Sequence, residues 1–198
     1  MDAAVISKPL LKADIPPIQR AGIPVTQAIS LEIFPGKIYR VVGSNGSGKT
    51  TLLRTLAGLI PNNKHHIKSD ASLCFVGHQD FQNRMMTVHE TLTFWANFYG
   101  HTAAKALEDF QLKPLAHKRI QQLSQGQRQR VSLARVLCGS FDLWILDEPF
   151  ANLDKKTRTL LESIMEDHCA QGGSILFSEP ESTLENVSRE TFLLHTPT

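Results

Sequence analysis

Eight residues, Gly43-Ser44-Asn45-Gly46-Ser47-Gly48-Lys49-Thr50, carry the spacing G-x-x-x-x-G-K-[ST], and each position has a chemical reason. The glycines let consecutive backbone N–H groups turn inward as a nest for an anion such as a β-phosphate. The helix that must follow, continuing through Thr51, directs its positive end at the same anion. Lys49 can reach β- and γ-phosphate oxygens, and the Thr50 hydroxyl is placed to bind Mg²⁺. An ordinary Gly/Ser-rich turn would need neither the lysine at that position nor a strand before and a helix after.

A second pair of candidates lies about a hundred residues on. Leu143-Trp144-Ile145-Leu146 is an apolar strand, and Asp147-Glu148 emerges at its end. Asp147 suits Mg²⁺ held through water, and Glu148 suits polarisation of an attacking water. By itself such a strand end is common; beside a phosphate loop it becomes half of a nucleotide-hydrolysing site. Leu123-Ser124-Gln125-Gly126-Gln127 is, on its own, only a capped helix start. The segment Ser174–Pro180, SILFSEP, ends an apolar run in Ser178 and Glu179.

The elements that must position these groups follow from periodicity. Strands are expected at 30–34, 37–42, 72–77, 143–146 and 174–177, and helices at 50–59, 87–99, 103–111, 125–137 and 155–170. Thr87-Val88-His89-Glu90 has the composition of a capping box. The first 25 residues, rich in Pro, read as irregular or edge structure, and 62–71 as a polar loop. Strand and helix alternate at both ends with helices inserted at about 80–138, which implies a mostly parallel sheet with a helical subdomain.

Composition narrows the classes. At 198 residues with 41% hydrophobic and 20% charged content the chain has the makings of one globular domain, or two closely coupled lobes. A net charge of +2 and no concentrated basic stripe argue against nucleic acid. Cys74, Cys138 and Cys169 fit no metal-ligand spacing and read as reduced, buried thiols of a cytosolic protein. No secretory signal and no stretch of about 20 apolar residues is legible, so work at a membrane would need another chain as anchor. His65-His66 reads as two exposed loop histidines rather than haem ligands, because a haem site needs a shaped apolar pocket as well. Phe94, Trp95, Phe98 and Tyr99 form an aromatic helix face expected to be mostly core.

Taken in order, the motifs resemble those of the ABC-type ATPases over about residues 30–177. Leu123–Gln127 is similar to the LSGGQ signature, Ala151-Asn152-Leu153-Asp154 to the D-loop, and Gln79 stands where the family has its Q-loop glutamine. GHQ at 77–79, LWILDEPF at 143–150 and the short length resemble, more narrowly, the ATP-binding subunit of the haem exporter of cytochrome c maturation.

The resemblance implies an α/β fold of the P-loop NTPase class, ABC type. It has a mostly parallel central sheet, an antiparallel β edge and an inserted helical subdomain, with residues 1–198 as a single ATP-binding domain. It further implies ATP and Mg²⁺ as ligands, with Gly43–Thr51 on the nucleotide and Thr50, Gln79 and Asp147 on the metal. Glu148 and Gln79 would be catalytic, together with Glu179 at the position of the family's switch histidine. Two copies would sandwich two ATP molecules, with Ser124, Gly126 and Gln127 reaching the nucleotide of the other copy. An integral membrane permease would dock at about 80–100. The protein would sit peripherally on the cytoplasmic face of the inner membrane, or the matrix face in a mitochondrion.

Two departures stand out. No Phe, Tyr or Trp precedes Phe34, so adenine stacking is either absent or replaced by aliphatic contact from 18–25, and the missing stack is worth about 1–3 kcal/mol. The family's switch histidine aligns with Glu179. A carboxylate about 5 Å from a phosphate oxygen costs about 3 kcal/mol per opposing charge at an effective dielectric of about 20. Glu179 must then turn away, take up a proton, or pair with a cation such as Mg²⁺ or a lysine; alternatively Ser178 occupies the position and Glu179 lies on the surface. Slow hydrolysis is expected in either case.

Overall fold

A strand that is apolar at every position needs cover on both faces, and Leu143–Leu146, inside the main sheet, is such a strand. The computed structural model describes residues 8–20, 23–60, 66–77, 83–180 and 190–194. In chain order the elements are β1 (Leu11–Ile15), β2 (Gln19–Arg20), β3 (Ile23–Pro24), β4 (Ile29–Ile33), β5 (Ile38–Gly43), α1 (Lys49–Leu56), β6 (His66–Ser69), β7 (Leu73–Val76), α2 (Val88–Phe98), α3 (Ala104–Asp109), α4 (Gln125–Ala134), β8 (Leu143–Leu146), α5 (Lys155–Ala170), β9 (Ser174–Pro180) and β10 (Glu190–Leu194). Single 3₁₀ turns occupy Lys113–Leu115, Ile120–Gln122 and Arg135–Leu137.

Five strands form a parallel sheet in the order β10-β5-β9-β8-β7, and β4-β1-β6 form an antiparallel one. Alternation along each central strand separates two cores. Trp144, Leu146, Ile175 and Phe177 pack with α5 and with the helices between β7 and β8. Tyr39, Val41, Leu143, Ile145 and Leu176 pack with α1 and the antiparallel sheet. Each such fully buried side chain contributes about 1.5–3 kcal/mol of hydrophobic stabilisation. The α/β class, the parallel sheet and the antiparallel β portion agree with the sequence expectation.

Helices α2, α3 and α4 enter between β7 and β8, which nevertheless lie side by side, Leu73 opposite Leu143. The Thr87 capping box forms: its hydroxyl accepts from Glu90 N–H while the Glu90 carboxylate accepts from Thr87 N–H. These bonds hold the Glu90 carboxyl below the usual range.

Several expectations need correction. Residues 11–15 are neither irregular nor at an edge: β1 is the middle strand of the antiparallel sheet, with Leu11, Ala13 and Ile15 buried and Lys12 and Asp14 outward. Residues 66–69, expected as loop, pair with β1, with His66 exposed; His65 lies outside the described residues. The first helix stops at Leu56, and α4 gives way to a 3₁₀ turn after Ala134. β9 continues through Ser178, Glu179 and Pro180 instead of ending at Phe177, because β5 offers it backbone partners as far as Gly43. None of the three cysteines is in a disulfide; Cys74 and Cys138 are buried, but Cys169 only in part. The aromatic face of α2 is not mostly core. Trp95 lies under the Arg135 guanidinium at 4.1 Å and Tyr99 packs on Phe141, whereas Phe94 and Phe98, one turn apart, are 56% and 70% exposed.

Candidate functional site

The loop Ser44–Gly48 joins the end of β5 to the start of α1, so the carboxyl edge of a parallel strand and a helix N-terminus meet at one place. Gly48 caps α1 with φ +90°. A Cβ there would lie 2.5 Å from Thr26 Cγ2 and 2.6 Å from the Val25 carbonyl oxygen, so glycine is required by space as well as by backbone conformation. Lys49, 5% exposed, folds over the loop, its Nζ donating to the carbonyls of Gly43 (2.7 Å) and Ser44 (3.0 Å). Ser44, Asn45 and Gly46 are exposed at the loop tip, and Ser47 is fully buried with its hydroxyl unpartnered. A buried hydroxyl beside a cradle of backbone N–H groups fits a ligand that brings its own acceptor oxygens, as a polyphosphate does.

β8 runs antecedent to the second half of the site. Asp147, 2% exposed, follows Leu146 and accepts the Thr50 hydroxyl on Oδ2 at 2.8 Å. On Oδ1 it accepts the Ser178 hydroxyl at 2.7 Å, and the Ser178 oxygen accepts Glu148 N–H at 2.8 Å. Thr50, Asp147, Ser178 and Glu148 are thereby linked across α1, β8 and β9. A hydroxyl and a carboxylate brought together are hard oxygen donors of the kind that hold Mg²⁺ together with phosphate oxygens. Glu148 has φ +49°, a left-handed conformation that glutamate rarely adopts. This turn follows directly after the strand.

Ser178, not Glu179, sits at the junction of the two acidic residues. Glu179 is not on the surface either: it lines a cavity of about 80 Å³ with Glu148, Phe150, Arg158 and Pro180. The structure pairs it with Arg40 of β5 rather than with a lysine, Nη1 to Oε2 3.8 Å. Arg40 went unnoticed in the sequence; the signal that could have found it is a lone arginine inside the otherwise apolar strand IYRVVG.

A second cavity, about 290 Å³, lies where the start of α4 meets the turn before α5, lined by Ser124, Gly126, Gln127, Arg130, Asn152 and Asp154. Ser124 caps α4 in a reciprocal pair with Gln127, so the helix start is fixed. A Cβ at Gly126 would lie 2.8 Å from the Asn152 carbonyl oxygen, so the two motifs touch only because position 126 is glycine. Asn152 has φ +60°, which Asn tolerates better than most residues. The Asp154 carboxyl is held below the usual range, first by the Thr157 N–H and hydroxyl and then by Arg130 and Lys156.

Of the expected site residues, Gly43–Thr51, Asp147, Glu148 and Ser178–Glu179 are brought to one end of the parallel sheet. Ser124, Gly126 and Gln127 line a separate cavity. Gln79 lies outside the described residues. The aliphatic contact expected from 18–25 is redistributed: Ile18 is core at 3% exposure, its N–H donating to Thr26 Oγ1, and Val25 is left beside Gly48.

Comparison with known proteins agrees with this geometry. The family described as ABC transporter matches residues 26–151. A cytochrome c biogenesis ATP-binding export protein CcmA from Ruegeria pomeroyi is 40% identical over 163 residues, 81% of this chain and 80% of that protein. The protein of the same name from Mesorhizobium japonicum is 37% identical over 171 residues, 80% of this chain and 85% of that one. Among solved structures, an ATP-binding subunit of an ABC transporter superposes with a TM-score of 0.79 over 86% of this chain and 79% of its own. At 22% identity that likeness concerns the fold alone.

Proposed function

The chain belongs to the ABC transporter family, and from that premise we propose that it is the ATP-binding, energy-coupling subunit of a transporter serving cytochrome c biogenesis, with haem export as its task. The observation that carries the catalytic part is the linked set Thr50–Asp147–Ser178–Glu148 facing the phosphate loop. The destination rests on the CcmA relatives.

In this reading Gly43–Thr51 hold the ATP phosphates and Lys49 shifts from the loop carbonyls to phosphate oxygens. Thr50, Asp147 and Gln79 hold Mg²⁺, Asp147 through water, and the ion when bound stabilises charge on the phosphates. Glu148 orients the attacking water and accepts its proton. Ser124, Gly126 and Gln127 complete the site of a second copy across a nucleotide sandwich. The whole is one ATP-binding domain whose helices at about 80–138 form a subdomain.

A membrane permease is the family's partner. Phe94, Phe98 and Met85, all more than half exposed on the helical portion, supply the apolar surface for it. No helix among the described residues is long and apolar enough to cross a membrane. With the permease as anchor, we assign a peripheral position on the cytoplasmic face of the inner membrane, or on the matrix face in a mitochondrion.

Turnover is slow, since Glu179 stands where the family has a histidine. This favours, as second reading, a module of the same complex in which ATP-driven dimerisation outweighs hydrolysis. Steady-state ATPase activity of the wild type beside Glu148→Gln decides between them. Energy coupling predicts a fall of about 10²–10⁴-fold in the variant, the range of a lost general base. Equal, negligible rates with intact ATP-dependent dimerisation would establish the second reading.

A further inference from the structure

Arg40 lies in mid-strand below the phosphate loop and is 8% exposed. In the β5–β9 register Val42 is opposite Glu179 and Arg40 opposite Phe177, so Arg40 and Glu179 are diagonal neighbours on one face of the sheet. Their side chains are 10% and 12% exposed, with Nη1 and Oε2 3.8 Å apart. Arg40 is tethered from the other side as well, its Nε donating to Thr191 Oγ1 on β10 at 2.8 Å.

A buried ion pair is weak support for stability, because apolar residues of similar volume usually do as well. The position of this pair suggests another use. Glu179 shares a small cavity with Glu148 and with Arg158, whose guanidinium is engaged by the Phe150 carbonyl and ring, at the edge where the nucleotide site described above would end a triphosphate. Two carboxylates facing a γ-phosphate would repel it, and the repulsion is strong in a site of low effective dielectric. Arg40 supplies the compensating charge from within the sheet, and its tether to Thr191 keeps it on the side of Glu179 away from the loop.

We propose that Arg40 is a positioning residue that holds and neutralises Glu179, so that the end of the sheet accepts a γ-phosphate despite a carboxylate at the switch position. The proposal rests on the nucleotide site described under Proposed function. Its signature is discrimination between triphosphate and diphosphate, since only the γ-phosphate meets Glu179.

The test is equilibrium binding of MgADP and of a non-hydrolysable Mg–ATP analogue to wild type, Arg40→Met, Glu179→Gln and the double variant. Arg40→Met is expected to lower the affinity for the analogue relative to MgADP by about tenfold or more, the equivalent of about 1.4 kcal/mol. Adding Glu179→Gln is expected to restore the ratio. Glu179→Gln alone, which leaves the arginine uncompensated, is expected to raise it, and this keeps the proposal testable where Arg40→Met fails to fold. An unchanged ratio in Arg40→Met, an equal loss for both nucleotides, or no rise in Glu179→Gln overturns it. Wild type that binds neither nucleotide, or binds both unaffected by Lys49→Ala, overturns the nucleotide site itself and this proposal with it.

Discussion

The Ser178 hydroxyl donates to Asp147 Oδ1 at 2.7 Å, and this bond, between β9 and β8, joins the two halves of the phosphate end. The same oxygen accepts Glu148 N–H, so one buried side chain sets the angle at which both acidic residues leave the strand. Ser178→Ala would leave the Glu148 N–H without this acceptor and strip one bond from Asp147, a loss of about 1–3 kcal/mol. We expect a lower midpoint in urea and turnover reduced by about tenfold or more, in line with the geometric demands of such sites. Wild-type turnover in Ser178→Ala would remove Ser178 from the machinery.

Gly126→Ala places a Cβ against the Asn152 carbonyl oxygen at 2.8 Å, backbone that cannot yield like a side-chain tip. The start of α4 and the turn before α5 must separate, deforming the surface offered to a second copy. ATP-dependent dimerisation in a Glu148→Gln background, followed by size-exclusion chromatography, should require about tenfold more protein. ATP binding to the single chain should stay close to normal. Loss of monomer binding instead would mean that the cavity serves its own nucleotide.

Phe94→Ser together with Phe98→Ser removes largely exposed apolar surface and the edge-on contacts of these rings with Trp95 and Tyr99. Stability should fall by only about 0.5–1.5 kcal/mol per site. Co-expressed permease should no longer co-purify. Retention of the permease at wild-type level would shift the docking surface elsewhere.

His168 stacks on Trp144 with ring centroids 3.8 Å apart, and burial pushes its pKa below the ordinary value of 6.5 despite a hydrogen bond with Ser174 backbone and the charge of Asp142. Between the two values the unfolded chain binds more protons than the folded one, so stability rises with pH across that window. The contribution is complete above about pH 6.5 and is lost as pH falls toward the folded-state value. His168→Phe should flatten this segment of the urea stability profile between about pH 5 and pH 7. The same slope in variant and wild type would assign the pH dependence to other groups.

The sequence was most legible where one local rule sufficed. G-x-x-x-x-G-K-T defines its own loop, because its glycines and lysine are contiguous. LWIL is a strand buried on both faces, which four apolar residues announce. β1 and β6 were less legible. LKADI alternates over only five residues before Pro16-Pro17, and HIKS presents exposed or half-exposed positions throughout. A strand with so little apolar signal is decided by the partner that pairs with it, and β1 is that partner.

The sequence by itself determined that the chain binds a phosphate-bearing nucleotide and in what order the parts of the site occur, because each motif is a short-range arrangement of backbone and side chain. Only the tertiary structure decided which residue of Ser178-Glu179 joins Asp147, and which cation meets the other. Those answers depend on the register of β9 against β5 and β8, strands brought together from far apart in the chain. A shift of one residue would exchange the two faces. The register is fixed by burying Ile175, Leu176 and Phe177 between the two cores, an energy that belongs to the whole sheet and to no single motif.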